Sequence, residues 1–312
     1  MSMRTRIDVP EPLAASLGSH FGDAGRAWVA SLPDLINDYL DRWRLRPDGP
    51  PGHGSVGLVV PVLRADGVPA ALKLQRAEED SIGASLALRT WDGNGAVRLL
   101  EASTDSSIML LERLDPDRSL SSVQDDLAAL QILAELLARL SAVPAPDGLR
   151  RLADIAAAML NQVPHALTQL FDPADRRLIQ TCAGMVDEVL GEAGDRLLHW
   201  DLHYDNVLAA HHSDPREPWL AIDPCPLAGD PGFELLPALG NRWDDLTVTG
   251  DLHRALRRRF DLMTEVLAME RQRARAWTAG RVLRNVLWDI DSGHARLHPR
   301  YADIAEAVLT SR

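Results

Sequence analysis

The chain has 312 residues, 46% of them hydrophobic and 25% charged, a balance that excludes disorder, a collagen-like repeat and a disulfide scaffold. Its formal charge of −12 argues against a nucleic-acid partner and makes a cationic ligand the easier one to accommodate. All but one of its 33 basic residues are arginine, so Lys73 becomes a candidate for a site where a compact ammonium serves and a guanidinium fork would not fit.

In chain order, Trp28, Val29, Leu32, Leu35, Ile36, Tyr39, Leu40 and Trp43 recur at intervals of three and four and predict an amphipathic helix over 25–43. A stretch rich in proline and glycine, 46–57, ends that pattern. Two strands follow at 58–63 and 68–74, joined by a turn signal at Arg64, Asp66 and Gly67, an antiparallel hairpin with a glycine-rich entry. A short helix near 78–91 and strands at 97–100 and 108–111 complete an N-terminal part, 1–115, that reads as a small sheet with helices. The remainder, 116–312, changes character. Leucines at 127, 130, 133, 136, 137 and 140 predict a strong helix over 123–140, and helical periodicity returns at 152–170, 176–190, 252–268, 273–289 and 301–309. Between them lie three short extended segments, 197–200, 207–210 and 219–223, dense in polar groups.

The two cysteines, Cys182 and Cys225, fit no disulfide framework or metal spacing and read as small buried hydrophobes. With no signal-peptide stretch in 1–17 and no run near the ~18 apolar residues of a membrane span, the expectation is a soluble, cytoplasmic protein with no membrane partner. Trp-Asp pairs at Trp200, Trp243 and Trp288 come near a WD-repeat period, but helical patterns fill the intervals and exclude four-stranded blades.

Gly52, Gly54 and Gly57 satisfy G-x-G-x-x-G, which alone is a weak signal. A dinucleotide fingerprint would open a helix, whereas this one leads into a strand containing Pro61 and a hairpin. A glycine loop leading one strand into the next is the arrangement by which kinases lay backbone amides over phosphates, and Lys73 ends Ala-Ala-Leu-Lys on the following strand. The second constellation runs from His199 to Asn206. Asp201 and Asn206 share the spacing D-x-x-x-x-N, suited to a base for a hydroxyl proton beside a metal ligand, and Asp223 ends an apolar strand as a second hard oxygen donor. A zinc reading through His199, His203, His211 and His212 matches no standard spacing. The bland alternative makes Asp201, Asn206 and Asp223 buried caps and turns.

Together with Gly229, Asp230 and Pro231, these residues resemble the aminoglycoside phosphotransferase family, relatives of the protein kinases, over nearly the whole chain. The family pattern usually has glycine where Trp200 stands. The longer strings at 199–209, 217–224 and 287–290 are similar to the streptomycin 6-kinase branch of that family. The resemblance implies an α+β, bilobal, protein-kinase-like fold, with a small antiparallel-sheet lobe over 1–115 that binds nucleotide and a larger helical lobe over 116–312. It implies ATP and Mg²⁺, with Lys73 on the α- and β-phosphates, Glu79 (or Glu78) as its helix partner, and the backbone of Glu112 to Leu114 reading adenine. Asp201 would be the catalytic base, Asn206 and Asp223 the Mg²⁺ ligands, Asp230 an acid steadying the loop, and His199 a loop anchor. The implied acceptor is a cationic aminoglycoside, streptomycin, phosphorylated on its 6-hydroxyl by a monomeric resistance enzyme. Its two guanidinium groups call for carboxylates and aromatic faces, for which Glu234, Trp243, Asp244, Asp245, Trp288, Asp289 and Asp291 are candidates. The same fold could serve another aminoglycoside or aminocyclitol, or hydroxyurea. A non-catalytic nucleotide-binding protein is the remaining alternative, and it has no need of the base.

Overall fold

The computed structural model describes residues 7–76, 83–210 and 218–309, which divide into two compact units, Met1–Gly93 with Val97–Leu114 and Asn94–Ala96 with Asp115–Arg312. The first unit opens with α1 (Glu11–Arg42), longer than the predicted 25–43 because Leu13 and Leu17 bury an earlier stretch whose pattern is too short to read. Gly22 interrupts it at φ 56°, ψ −132°, so two helical stretches meet there. A β-carbon on Gly25 would lie 2.1 Å from the Leu17 carbonyl oxygen, so only glycine permits that close approach.

Six strands form the sheet of this unit: β1 (Arg46–Pro47), β2 (Gly52–His53), β3 (Gly57–Leu63), β4 (Pro69–Gln75), β5 (Leu99–Ala102) and β6 (Ile108–Glu112), in the order β1-β3-β4-β6-β5 with β2 also on β3. Alternation decides the faces. Leu58, Val60, Val62, Ala70, Leu72 and Leu74 join Leu32 and Ile36 of α1 in one buried cluster. Pro61 sits mid-strand without an N–H, and its carbonyl accepts from Asp48, so its donorless edge faces the gap between β1 and β2. The short helix α2 (Ala84–Trp91) closes with Asp92 in the left-handed region.

The second unit is mainly helical: α3 (Asp126–Leu140), α4 (Leu152–Gln169), α5 (Pro173–Val189), α6 (Leu235–Leu239), α7 (Trp243–Thr247), α8 (Leu252–Val266), α9 (Arg271–Asp291) and α10 (Pro299–Leu309). Asp125, Asp172, Asp251 and Glu270 cap the starts of α3, α5, α8 and α9 through backbone N–H groups. The central helix is α9, buried on every side over 276–283, with Gly280 allowing Val186 of α5 to come close. Two three-stranded sheets complete the unit, β7 (Asp115–Ser119) with β10 (Val207–Ala209) and β11 (Trp219–Ala221), and β8 (Arg150–Arg151) with β12 (Leu227–Gly229) and β9 (Arg196–Leu198). Cys182 is core, its thiol pushed up to about 12 by burial, and Cys225 is half-buried. Among the described residues no helix is long and apolar enough to cross a membrane.

Candidate active site

In the first unit the three glycines lead one strand into the next, as read from the sequence, at the β2–β3 hairpin that enters the β3–β4 pair. Gly52 pairs with Val59, His53 with Leu58, and the Gly54 N–H donates to the Gly57 carbonyl at 2.9 Å, leaving Ser55 and Val56 as the turn. Ser16 of α1 donates its hydroxyl to the Ser55 carbonyl at 2.8 Å, so the first stretch of α1 steadies that tip. A β-carbon at Gly52 or Gly54 would meet nothing within 4 Å, whereas one at Gly57 would stand 3.7 Å from Lys73 Cε. Lys73 lies between Val59 and Met109 in the ladder, on the face opposite the α1 core, and is 6% exposed. The following segment is anchored by Arg113, which donates to the carbonyls of Ala70 and Val62 and to Asp48. Glu112 turns its carboxylate back to the Arg98 N–H at 2.6 Å, and Leu114 is buried. Glu79 and Glu78 lie outside the described residues, as do His211 and His212.

In the second unit the loop after β9 is held by bonds from several directions. His199 Nε2 donates to the Ile222 carbonyl at 2.8 Å, which fixes its tautomer, and its own carbonyl accepts from the Cys225 N–H at 3.0 Å. The antiparallel register of β10 on β11 sets Val207 opposite Ala221, so Asn206 and Ile222 meet at the next step, where the Ile222 N–H donates to the Asn206 carbonyl at 2.9 Å. Asp223 follows at φ 59° and Trp200 stands at φ 67°, two left-handed residues flanking the polar cluster. Asn206 Nδ2 donates to the Asp201 carbonyl at 2.9 Å, which leaves the amide oxygen as a donor for a cation. Asp230 caps the turn after β12 through the Gly232 N–H at 2.7 Å and pairs with Arg273; burial raises its pKa.

Glu234 supplies the main support. Its carboxylate accepts from the His199 and Trp200 N–H groups, and it is 1% exposed. Burial pushes this carboxyl up to about 7, against the lowering effect of the two N–H groups and Arg281. Behind the 204–206 turn, Arg259 ties Asp126 at 2.8 Å to the carbonyls of Leu239 and Asn241. Asn241 Oδ1 then accepts from the Tyr204 N–H at 3.1 Å, and the Tyr204 hydroxyl donates to Asp126.

Residues 42–293 match the family of aminoglycoside/hydroxyurea antibiotic resistance kinases. The chain belongs to this family. It is 57% identical to a streptomycin 6-kinase of Streptomyces glaucescens over 99% of each chain. It is 53% identical to a streptomycin 6-kinase of Streptomyces griseus over the same shares. A hydroxyurea phosphotransferase of Kitasatospora aureofaciens is 50% identical over 97% of this chain and 86% of its own. Among solved structures, an aminoglycoside phosphotransferase APH(4)-Ia bound to AMP-PNP and hygromycin B superposes with a TM-score of 0.53 at 16% identity, covering 89% and 95% of the two chains. A macrolide 2'-phosphotransferase from Brachybacterium faecium gives 0.55 at 16% identity, covering 89% and 99%. These likenesses establish the α+β, protein-kinase-like fold.

For a kinase of this family the acceptor residues are the least legible part. A cleft of about 360 Å³ opens beside Asp201, lined among others by His203, Asp205, Arg281, Asn285, Arg300 and Tyr301. Glu234, expected at the acceptor, lies buried beneath the loop instead, because both its oxygens are taken by backbone N–H groups. Trp243, Asp244, Trp288 and Asp289 are not among the residues lining this cleft. Trp243 instead carries the Arg300 guanidinium, 4.8 Å from its ring. Trp288 shares the helical stripe of Arg281 and Asn285 but stands one turn beyond Asn285, about 4.5 Å further along α9, where it is 56% exposed. Arg281 and Asn285, four apart on one face of α9, carry no signal that separates them in sequence from their polar neighbours Thr278 and Arg284.

Proposed function

We propose that the chain is an ATP-dependent O-phosphotransferase that inactivates streptomycin by moving the γ-phosphoryl group to its 6-hydroxyl. The observation that carries this is identity above half, over nearly the full length, to two streptomycin 6-kinases, with Lys73, Asp201, Asn206 and Asp223 all present. Asp201 accepts the proton of the attacking hydroxyl as the new P–O bond forms, the bond to the β-phosphate oxygen breaks, and ADP leaves. Lys73 neutralises the α- and β-phosphates, the hairpin tip shaped by Gly52, Gly54 and Gly57 brings backbone N–H groups to them, and the backbone of Glu112 to Leu114 reads adenine. Asn206 Oδ1 and the Asp223 carboxylate would hold Mg²⁺, a hard-oxygen pair that such an ion completes with phosphate oxygens; when bound it offsets phosphate charge. The loop's own bonds do the positioning, since phosphoryl transfer depends on alignment more than on covalent help.

In the cleft a cationic acceptor meets Asp201 and Asp205, with Tyr301 as an aromatic face, and has to pass Arg242, Arg281 and Arg300. Hydroxyurea is the second reading, favoured by the 50% identity to a hydroxyurea phosphotransferase. Purified protein, Mg²⁺ and ATP are incubated with streptomycin, hydroxyurea and unrelated aminoglycosides, and products are read by mass spectrometry. A singly phosphorylated streptomycin supports the first reading; product from hydroxyurea alone replaces it with the second. The enzyme is expected to act as a monomer in the cytoplasm.

A further inference from the structure

Trp200 is held at φ 67°, a backbone region where an ordinary side chain crowds the following carbonyl and glycine does not. Its indole is 6% exposed and carries two guanidinium groups, the Arg150 carbon 4.6 Å and the Arg281 carbon 4.9 Å from the ring centroid. These cations arrive from separate elements, Arg150 from β8 and Arg281 from α9. Arg281 also lies 5.4 Å from the Phe233 ring, and Phe233 stands one residue before Glu234. Arg281 is 8% exposed, and its buried Nε and Nη1 have no hydrogen-bond partner among the described residues.

A guanidinium buried with N–H groups unsatisfied is costly unless ring faces and carboxylates compensate it. The compensation here comes from two aromatic rings and from attraction to Asp201 and Glu234. An apolar side chain would fill the same space without that penalty, so packing alone does not account for an arginine. The position of its ring partner does. Trp200 immediately precedes Asp201, its N–H is fixed by Glu234, and its ring is fixed by the two arginines, so backbone and side chain together set the direction in which the chain enters Asp201.

We propose that Arg281, assisted by Arg150, is a positioning residue of the catalytic loop: it clamps the Trp200 ring so that the left-handed step before Asp201 is held without a glycine. This rests on the reading of Asp201 as the catalytic base.

The test is a double-mutant cycle with Arg281→Met and Trp200→Leu, the second keeping an apolar side chain and a β-carbon while removing the ring face. Each single change is expected to lower kcat by roughly 10- to 100-fold, with KM for ATP within about twofold, as misplacement of a reacting group does. The double variant is expected to be no more than about threefold worse than the weaker single, since both break one contact. Arg281→Lys, which keeps a cation for the ring, is expected to lose less than Arg281→Met. Wild-type kcat in Arg281→Met, a loss confined to KM, or losses that multiply in the double variant would each overturn the proposal. Should Arg281→Met not fold, Arg150→Met and Arg281→Lys take its place in the same cycle. Urea midpoints of the same proteins report the coupling without turnover, additive shifts counting against it. A wild-type chain that phosphorylates no acceptor would therefore sink the assignment of the base while the clamp is still judged.

Discussion

The two units fix their chemical groups by different means. In the first, the ladder register places Lys73, with Val59 on one side and Met109 on the other, and the strands that put it there are its near neighbours in the sheet. In the second, Asp201 stands on a loop with little regular structure, held by Glu234 and Arg281 from later in the chain and, through Tyr204, by Asp126 from before it. A register tolerates loss of any one functional side chain, because backbone bonds carry the geometry. A loop braced by side chains does not, so in the second unit the residues that act and the residues that support are harder to separate.

The largest effect should come from Asp201→Asn. Turnover in an ADP-release assay is expected to fall about 10³-fold, with ATP affinity by calorimetry within a few-fold of wild type. Near-normal turnover would remove the base from the reading altogether. Lys73→Met should lower kcat/KM for ATP by about 10²-fold with the fold kept, because the backbone bonds of the ladder, rather than this side chain, hold β4 in place. A clear loss of stability there would break the contrast between the units.

Glu234→Gln should act the other way, on stability as well as rate. Replacing an acceptor of two buried N–H groups is expected to destabilise by about 2 kcal/mol in urea unfolding. The pH dependence has a definite sign. Burial raises this carboxyl from an ordinary 4.5 to about 7, so the folded chain binds the proton more tightly than the unfolded one. Its contribution is therefore fully present below about 4.5 and is lost as pH rises through about 7. The wild-type midpoint should fall across that window more steeply than the Gln variant's, and parallel profiles would show that Glu234 does not titrate there. Smallest of all is Gly54→Ala: open space around the new methyl and an unstrained φ predict a stability change within about 0.5 kcal/mol, with a few-fold rise in KM for ATP as the only trace. A larger stability loss would mean the hairpin tip depends on glycine for its own fold.

The same difference explains what the sequence discloses. The β3–β4 hairpin follows from alternation and a Gly67 turn, and the long helices follow from leucine spacing, because those signals are local. The strand β7 carries no apolar alternation and exists only because β10 offers it a partner, so nothing in Asp115–Ser119 announces it. Asp201, Asn206 and Asp223 are legible as a motif because their spacing is short. Glu234 is legible only as an acid, and its burial under the loop depends on a tertiary approach that no spacing encodes. For the same reason the cleft residues Arg300 and Tyr301, on the last helix, carry no signal of their own.

The proline in β3 has an effect beyond the hairpin. By leaving one position of its outer edge without a donor, Pro61 splits the flanking chain into two strands of two residues each, β1 and β2. An exposed sheet margin of full length would be a template for pairing with a foreign strand, and this one is too broken to serve. The segment that reads as a phosphate loop thereby hangs from a margin guarded against self-association, free to meet a small anion and poorly suited to meet another copy of itself.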